Sequence, residues 1–320
     1  MTRRMAAALL GATLLAGPAL GQTADRPLRI IAGYAPGGTS DITARLVAEG
    51  VAATLGQRPV VENRTGANGF IAAEAVVRGP TDGSTVLQCP MGNMTISPEM
   101  PGMHIPIDVA RDLVPIANVA RSSYAVVVGV RSPYRSMEDF LTAARARPGA
   151  LSYASAGAGT AQHLSGERLK AMARIDLLHV PYRGAAPAAL DIIAGRADLL
   201  ITNLGDVIRQ IQGGEMRLLA MGDADGWPDF PDAPRLPSLV PGLQVLGWFG
   251  ICGPRGMPQE AVSRWAEAIR VALQDAGLRR RLLDNGLAPF FEDPESFGRT
   301  IARDRGIWGE AIRAAGIRAE

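Results

Sequence analysis

Three stretches of the chain set glycines, hydroxyls and an aromatic residue where a strand gives way to a helix. That combination suits the gripping of a small anion. The first is Tyr34-Ala35-Pro36-Gly37-Gly38-Thr39-Ser40-Asp41. Glycine lets backbone N–H groups approach a ligand closely, and the first turn of a helix leaves several N–H groups without intrahelical partners. Those donors and the positive end of the helix dipole together make an anion site. The stretch is not a nucleotide loop: no Gly-Lys-Ser/Thr follows the glycines, and the third glycine of the dinucleotide fingerprint is missing. Taken alone it also reads as a plain helix cap, with Thr39, Ser40 or Asp41 bonding the first turn.

The second stretch, SYASAGAGTAQHLSGE from Ser152 to Glu167, places Ser155, Ala156, Gly157, Gly159 and Thr160 between a strand and a helix. His163 lies one turn into that helix and reads as a structural histidine bonded to a nearby carbonyl. The third, HVPYRGAAPAALDIIAG from His179, offers the ring and hydroxyl of Tyr182. Its Arg183 is either a carboxylate partner or a solvated surface charge. A fourth candidate is Thr202-Asn203 at the end of ADLLITN, where a side-chain amide could orient a bound molecule. Amide-rich turns in what look like two different domains make coincidental capping a poor explanation. Open parallel sheets hold their ligands beyond the carboxyl ends of the strands, and a cleft with donors on both walls suits a small carboxylate.

Signatures of catalysis are sparse. Ser155 lacks the glycine that a nucleophile elbow needs two positions earlier, because Tyr153 stands there. The histidines are His104, His163 and His179, with no HExxH and no metal-spaced Cys/His set. A serine paired with His163 or His179 stays open as an alternative. The expectation is a non-enzyme with no catalytic residues, no cofactor and no metal.

The elements that must position these turns alternate. LRIIAGY, PVVEN, STVLQC, YAVVVGV, LSYAS, LLHVPY, ADLLITN, MRLLAMG, VLGWFGICGP and LAPFF read as strands, most of them separated by helical patterns. Residues Gln259 to Ala276 read as one amphipathic helix, and a closing helix runs from Pro294-Glu295 to about Ala315. Strands alternating with helices imply parallel sheets and right-handed crossovers. Crossovers between two sheets fall near 126–131 and 244–249, which makes the first domain discontinuous.

The chain has 320 residues, 47% apolar and 20% charged, which suits one large or two medium globular domains. Arg3 and Arg4 followed by the apolar run to Leu20 read as a signal peptide over residues 1–21, cleaved before Gln22, rather than as a membrane anchor. Its removal takes two arginines and no acid from a formal charge of +2, leaving a neutral protein. That gives no electrostatic case for nucleic acid or anionic lipid. Cys89 and Cys252, each in an apolar strand-like stretch, read as buried free thiols rather than a disulfide.

Several long blocks, in order, resemble the Bug family, the extracytoplasmic substrate-binding receptors of tripartite tricarboxylate transporters. They are YAPGGTSDITARLVAEGVAATLGQRPVVENRTGANGFIAAEAVVRGPTDGSTVL, SYASAGAGTAQHLSGERLKAM, HVPYRGAAPAALDIIAGRADLL, GWFGICGPRGMP and IWGEAIRAAGIR. The resemblance implies an α/β, two-lobed periplasmic-binding-protein fold, type II-like, with parallel or mixed sheets, an interlobe cleft and two crossovers. Lobe 1 would be residues 22–126 with 250–320, and lobe 2 residues 127–249. It implies a monomeric periplasmic receptor for a small organic carboxylate that serves integral-membrane transporter subunits and binds no nucleic acid. A receptor presenting its ligand to a membrane sensor kinase is the alternative, and an exported hydrolase or lyase the more distant one. The family's ligand loops carry onto Tyr34, Pro36, Gly37, Gly38, Thr39 and Asp41, and onto Ser155, Ala156, Gly157, Gly159, Thr160 and His163. Tyr182 and Asn203 complete the expected set. Many members have an acid where this chain has Thr202-Asn203, and its absence points toward ligands without an amino group.

Overall fold

The computed structural model describes residues 26–318, without the side chains of residues 314 and 315; the expected signal peptide lies outside the described residues. Ten strands form one continuous sheet: β1 (Arg29–Ala32), β2 (Val60–Asn63), β3 (Thr85–Pro90), β4 (Leu113–Gly129), β5 (Ser152–Ser155), β6 (Leu178–Pro181), β7 (Leu199–Asn203), β8 (Met216–Met221), β9 (Leu246–Pro254) and β10 (Leu287–Glu292). The order is β2-β1-β3-β9-β4-β7-β5-β6, with β8 and β10 added on β4. The α/β architecture read from the alternating pattern is present.

β4 organises the sheet. From Leu113 to Ser123 it pairs antiparallel with β9, and β10 adds to the same stretch. From Tyr124 to Gly129 it pairs with β7 and β8 instead. One strand thus belongs to two halves of the sheet: β1, β2, β3, β9 and β10 on one side, β5, β6, β7 and β8 on the other. The C-terminal end of β4 is buried on both faces, with Val126, Val127 and Val128 all at 0% exposure. A continuous apolar run is what a strand covered on both faces requires.

The sequence pattern located only the second part of this strand. Pro115, Asn118 and Arg121 interrupt the apolar run in the first part, and the register shifts between Pro115 and Ala117 and between Asn118 and Ala120. The helix expected over Gln259–Ala276 is two helices, Gln259–Ala272 and Ala276–Leu283. Asp275 starts the second by accepting from the Leu278 N–H at 2.6 Å. The closing helix Pro294–Ala315 matches its expected bounds, with Asp293 accepting from the Ser296 N–H as its cap. Among the described residues no helix is long and apolar enough to cross a membrane.

The expectation of free thiols is overturned: Cys89 and Cys252 form a disulfide with Cα atoms 6.0 Å apart. The reason is register. β3 and β9 run antiparallel side by side with Leu87 opposite Cys252 and Cys89 opposite Gly250. The two cysteines are therefore diagonal neighbours on the same face, within the span a disulfide bridges. Nothing local in the sequence brings two residues separated by 163 positions onto adjacent strands.

Candidate functional site

Five of the parallel strand ends deliver their loops to one region. β1 leads to Gly33–Gly38, β3 to Met91-Gly92, β5 to Ala156–Thr160, β6 to Tyr182–Gly184 and β7 to Leu204–Asp206. These loops and the helix starts behind them, with Tyr124 of β4 and the first residues of β9, line a cavity of about 50 Å³.

Three helices start at this cavity: Thr39–Gly50, Ala161–Ala173 and Ala185–Ile193. Their first residues Thr39, Ala161 and Ala185 all line it. The caps differ. Gly38 and Gly184 give no side-chain cap of their own, and behind Gly38 the Thr39 N–H donates to Asp206 instead. Thr160 caps its helix by accepting from the His163 N–H at 3.2 Å. Pro90, Met91, Trp248 and Phe249 supply apolar wall. Among the described residues lining the cavity, Asp206 is the one with a charged side chain.

Asp206 was not foreseen from the sequence. It follows β7 and reaches across to the first half of the sheet, where its Oδ1 accepts from the Thr39 N–H and the Thr39 hydroxyl, both at 2.7 Å. Its Oδ2 accepts from the Thr202 hydroxyl, and from Asn203 Nδ2 at 3.5 Å. The side chain is 7% exposed, and burial pushes its carboxyl above the usual carboxylate range against the pull of these hydrogen bonds. Asp206 thus sets an acid four positions beyond Thr202, in the turn that follows the same strand. The signal that could have found Asp206 was its i+4 spacing from Thr202 at a strand end.

Two further hydrogen bonds join the halves across the cleft. The Ser97 hydroxyl donates to the Gly159 carbonyl at 2.9 Å, and Arg209 donates to Asn285 Oδ1 at 3.3 Å. Gly205 packs so closely that a Cβ there would lie 2.2 Å from the Asn285 carbonyl oxygen, so no larger residue fits.

The residues expected at the site divide into two sets. Tyr34, Gly38, Thr39, Ala156, Thr160 and Asn203 line the cavity. Pro36, Gly37, Asp41, Ser155, Gly157, Gly159, His163 and Tyr182 stand behind or beside it. Asp41 braces the first loop: Oδ2 accepts from the Gly37 N–H at 3.0 Å, and Oδ1 from Asn63 Nδ2, which also donates to the Tyr34 carbonyl. Burial would raise the Asp41 carboxyl, but Arg45, the Gly37 N–H and Asn63 outweigh it and hold it below the usual range. Tyr34 donates to Asn93 Oδ1 at 2.6 Å, and burial keeps its phenol protonated well above the ordinary range. The Tyr182 hydroxyl donates to Asp191 at 2.6 Å, away from the cavity. Tyr124, Gln162, Trp248 and Phe249 line the cavity without having been expected there.

Behind the second loop is a buried aromatic stack. His163 and His179 lie 4.3 Å apart, and Tyr153 stacks on His179 at 4.8 Å. His163 Nδ1 accepts from the Gly159 N–H at 3.1 Å, which fixes the glycine turn. Ser155 Oγ meets His179 Nε2 at 2.7 Å, the pairing a hydrolase would need. Ser155 is at 0% exposure and does not line the cavity, so the pair is placed to hold a loop. Among the described residues no group of three or more His, Cys, Asp or Glu is placed to hold a metal ion.

Burial, with Lys170 in the same direction and Glu167 opposing, pushes the His179 ring down to about 4 from 6.5. The unfolded chain therefore takes up a proton below about pH 6.5 that the folded chain refuses until about pH 4. The stabilisation is present above pH 6.5 and is lost as the pH falls toward 4. Wild type is expected to lose several degrees more of Tm than His179→Gln between pH 7 and pH 5, roughly as one to two kcal/mol would give. Parallel Tm–pH curves for the two would show that the ring is not held neutral by its surroundings.

Residues 43–317 match the profile described as the tripartite tricarboxylate transporter family receptor, TctC. The UPF0065 protein from the tcbD-tcbE intergenic region of Pseudomonas sp. strain P51 is 33% identical over 290 residues, 90% of this chain and 86% of that protein. Among solved structures, the R. palustris protein Rpa4515 with adipate superposes with a TM-score of 0.88 at 31% identity, covering 92% of this chain and 98% of that one. The periplasmic binding protein BugD superposes with a TM-score of 0.86 at 26% identity, over 92% and 99% of the two chains.

Proposed function

Because the chain belongs to the tripartite tricarboxylate transporter receptor family, we propose that it captures a small organic carboxylate in the cavity between its two sheet halves and hands it to a membrane transporter of that type. The carrying observation is that two helix starts, at Ala161 and Ala185, meet the Tyr34–Thr39 loop of the other half at one cavity. A carboxylate there replaces water on N–H groups at helix starts, an interaction that strengthens once solvent is shut out. The adipate bound by the R. palustris relative supports a ligand of this class.

The proposed lobes are the two sets of strands on either side of the Ser123–Tyr124 handover in β4, close to the division 22–126 with 250–320 against 127–249. Ligand touching both walls favours the shut arrangement by its differential affinity for it. The Cys89–Cys252 disulfide supports a periplasmic setting, where such bonds form and persist.

A thermal-shift panel of small acids tests the reading. A ligand at a hundred times its Kd stabilises by about 2.7 kcal/mol, so at least one acid is expected to raise Tm by several degrees. No shift with any acid across mono-, di- and tricarboxylates and amino acids would sink it. A hydrolase would instead show turnover abolished by Ser155→Ala.

A further inference from the structure

The seat that a ligand carboxylate would take at the start of the Thr39–Gly50 helix is already filled by a carboxylate of the chain itself. Asp206 Oδ1 holds both the Thr39 N–H and the Thr39 hydroxyl. On Oδ2 lie Thr202 and Asn203; the Thr39 N–H on one oxygen and Asn203 Nδ2 on the other can only donate, and these two bonds favour the ionised group against the burial that raises its pKa. We infer that Asp206 makes this a site for a monocarboxylate whose other end is a hydrogen-bond donor, an ammonium or amide, and that it excludes dicarboxylates. The inference rests on the receptor reading and narrows its ligand class.

The cavity lining has two parts of opposite character. At one, the helix starts at Ala161 and Ala185 present N–H groups and no acid. A carboxylate belongs there. At the other, Asp206 faces the same space with no arginine, lysine or histidine among the described lining residues to offset it. The second carboxylate of a diacid would have to lie against Asp206, and like charges in a water-poor site repel strongly. A donor is welcome instead. The Asn203 contact on Oδ2, at 3.5 Å, is the longest of the four and leaves acceptor capacity on that oxygen. Gly38 keeps the approach open: a Cβ there would lie 3.4 Å from Asp206 Oδ1. Beside both, Pro90, Trp248 and Phe249 give an apolar wall for a short carbon chain.

Matched pairs of equal length test this on the mature chain by calorimetry: succinate against 4-aminobutanoate, glutarate against 5-aminopentanoate, and adipate against 6-aminohexanoate. In the pair of best-fitting length, the amino acid is expected to bind at least about 30-fold more tightly than the diacid. Asp206→Asn keeps the shape and removes the charge. It is expected to improve the diacid by at least about tenfold relative to its partner, a change of ratio that a purely structural role would not produce. A diacid that binds wild type as tightly as its amino partner overturns the inference and leaves the receptor reading standing. So does a ratio left unchanged by Asp206→Asn. Should that variant fold poorly, the wild-type ratios decide alone. No binding by any member of any pair, to wild type or variant, together with a blank acid panel, overturns both.

Discussion

Gly38→Val is expected to weaken carboxylate binding by roughly 5- to 150-fold while leaving the fold in place, the range that 1–3 kcal/mol of overpacking gives. Gly38 has φ −84° and ψ 167°, a conformation valine adopts without strain. Its side chain would enter the cavity: the Cβ alone sits 3.4 Å from Asp206 Oδ1 and 3.8 Å from the Ala35 carbonyl oxygen. Alanine fits at ordinary contact distance. The two further methyls of valine do not, and they push on the Asp206–Thr39 bond that joins the halves. Gly37 differs in kind. It has φ +88°, nothing within 4 Å of where a Cβ would stand and no place in the cavity lining, so a substitution there strains the turn rather than filling the site. Calorimetry with the acid that gives the largest thermal shift separates these cases. Affinity unchanged in Gly38→Val, with Tm within a few degrees of wild type, would show that ligand does not sit beside this loop.

The second large effect is on stability. Replacing both Cys89 and Cys252 by alanine is expected to lower Tm by roughly 10 °C. The bond closes a loop of 163 residues, for which the chain-entropy relation gives about 5 kcal/mol and engineered pairs commonly give about 2–4. It also pins β3 directly beside Pro90, which lines the cavity, so ligand affinity is expected to fall along with stability. The measurement is Tm and affinity for the double variant, alongside wild type with and without reductant. A loss below about 1 kcal/mol would mean that the β3–β9 ladder holds this region unaided.

Much of the fold was legible because it is written locally. The apolar runs from Leu28 and Leu199 and the capped closing helix announce themselves within a few residues. The glycine loops after β1 and β5 were legible for the same reason: a turn that needs close backbone approach shows its glycines. What escaped was long-range. The disulfide depends on the register of two strands that the chain places side by side only after most of its length is laid down. Asp206 escaped because its role lies in bonds to Thr39, 167 positions away, while its own neighbourhood reads as an ordinary strand-to-turn passage. Trp248 lay in a block already singled out for resemblance, yet only the pairing of β9 with β4 shows that it borders the cavity. His163 shows the opposite case: it stands in the right loop, but its ring props Gly159 and meets no ligand space.

The two passages of chain between the halves are hydrogen-bonded to each other: Arg121 opposite Trp248, Ser122 opposite Gly247, Ser123 opposite Leu246. Mechanically they form a two-stranded ribbon rather than a pair of loose tethers. Such a ribbon twists readily about its length but resists sliding, because a slip of one residue would turn every side chain to the wrong face. If the proposed lobes rotate against one another, that rotation would act as torsion in a spring with a fixed rest angle. The cavity wall carried on that ribbon, Tyr124, Trp248 and Phe249, would then lie nearest the axis of the proposed closure. The outlying helix starts would sweep the wider arc, with the restoring torque held in the paired strands.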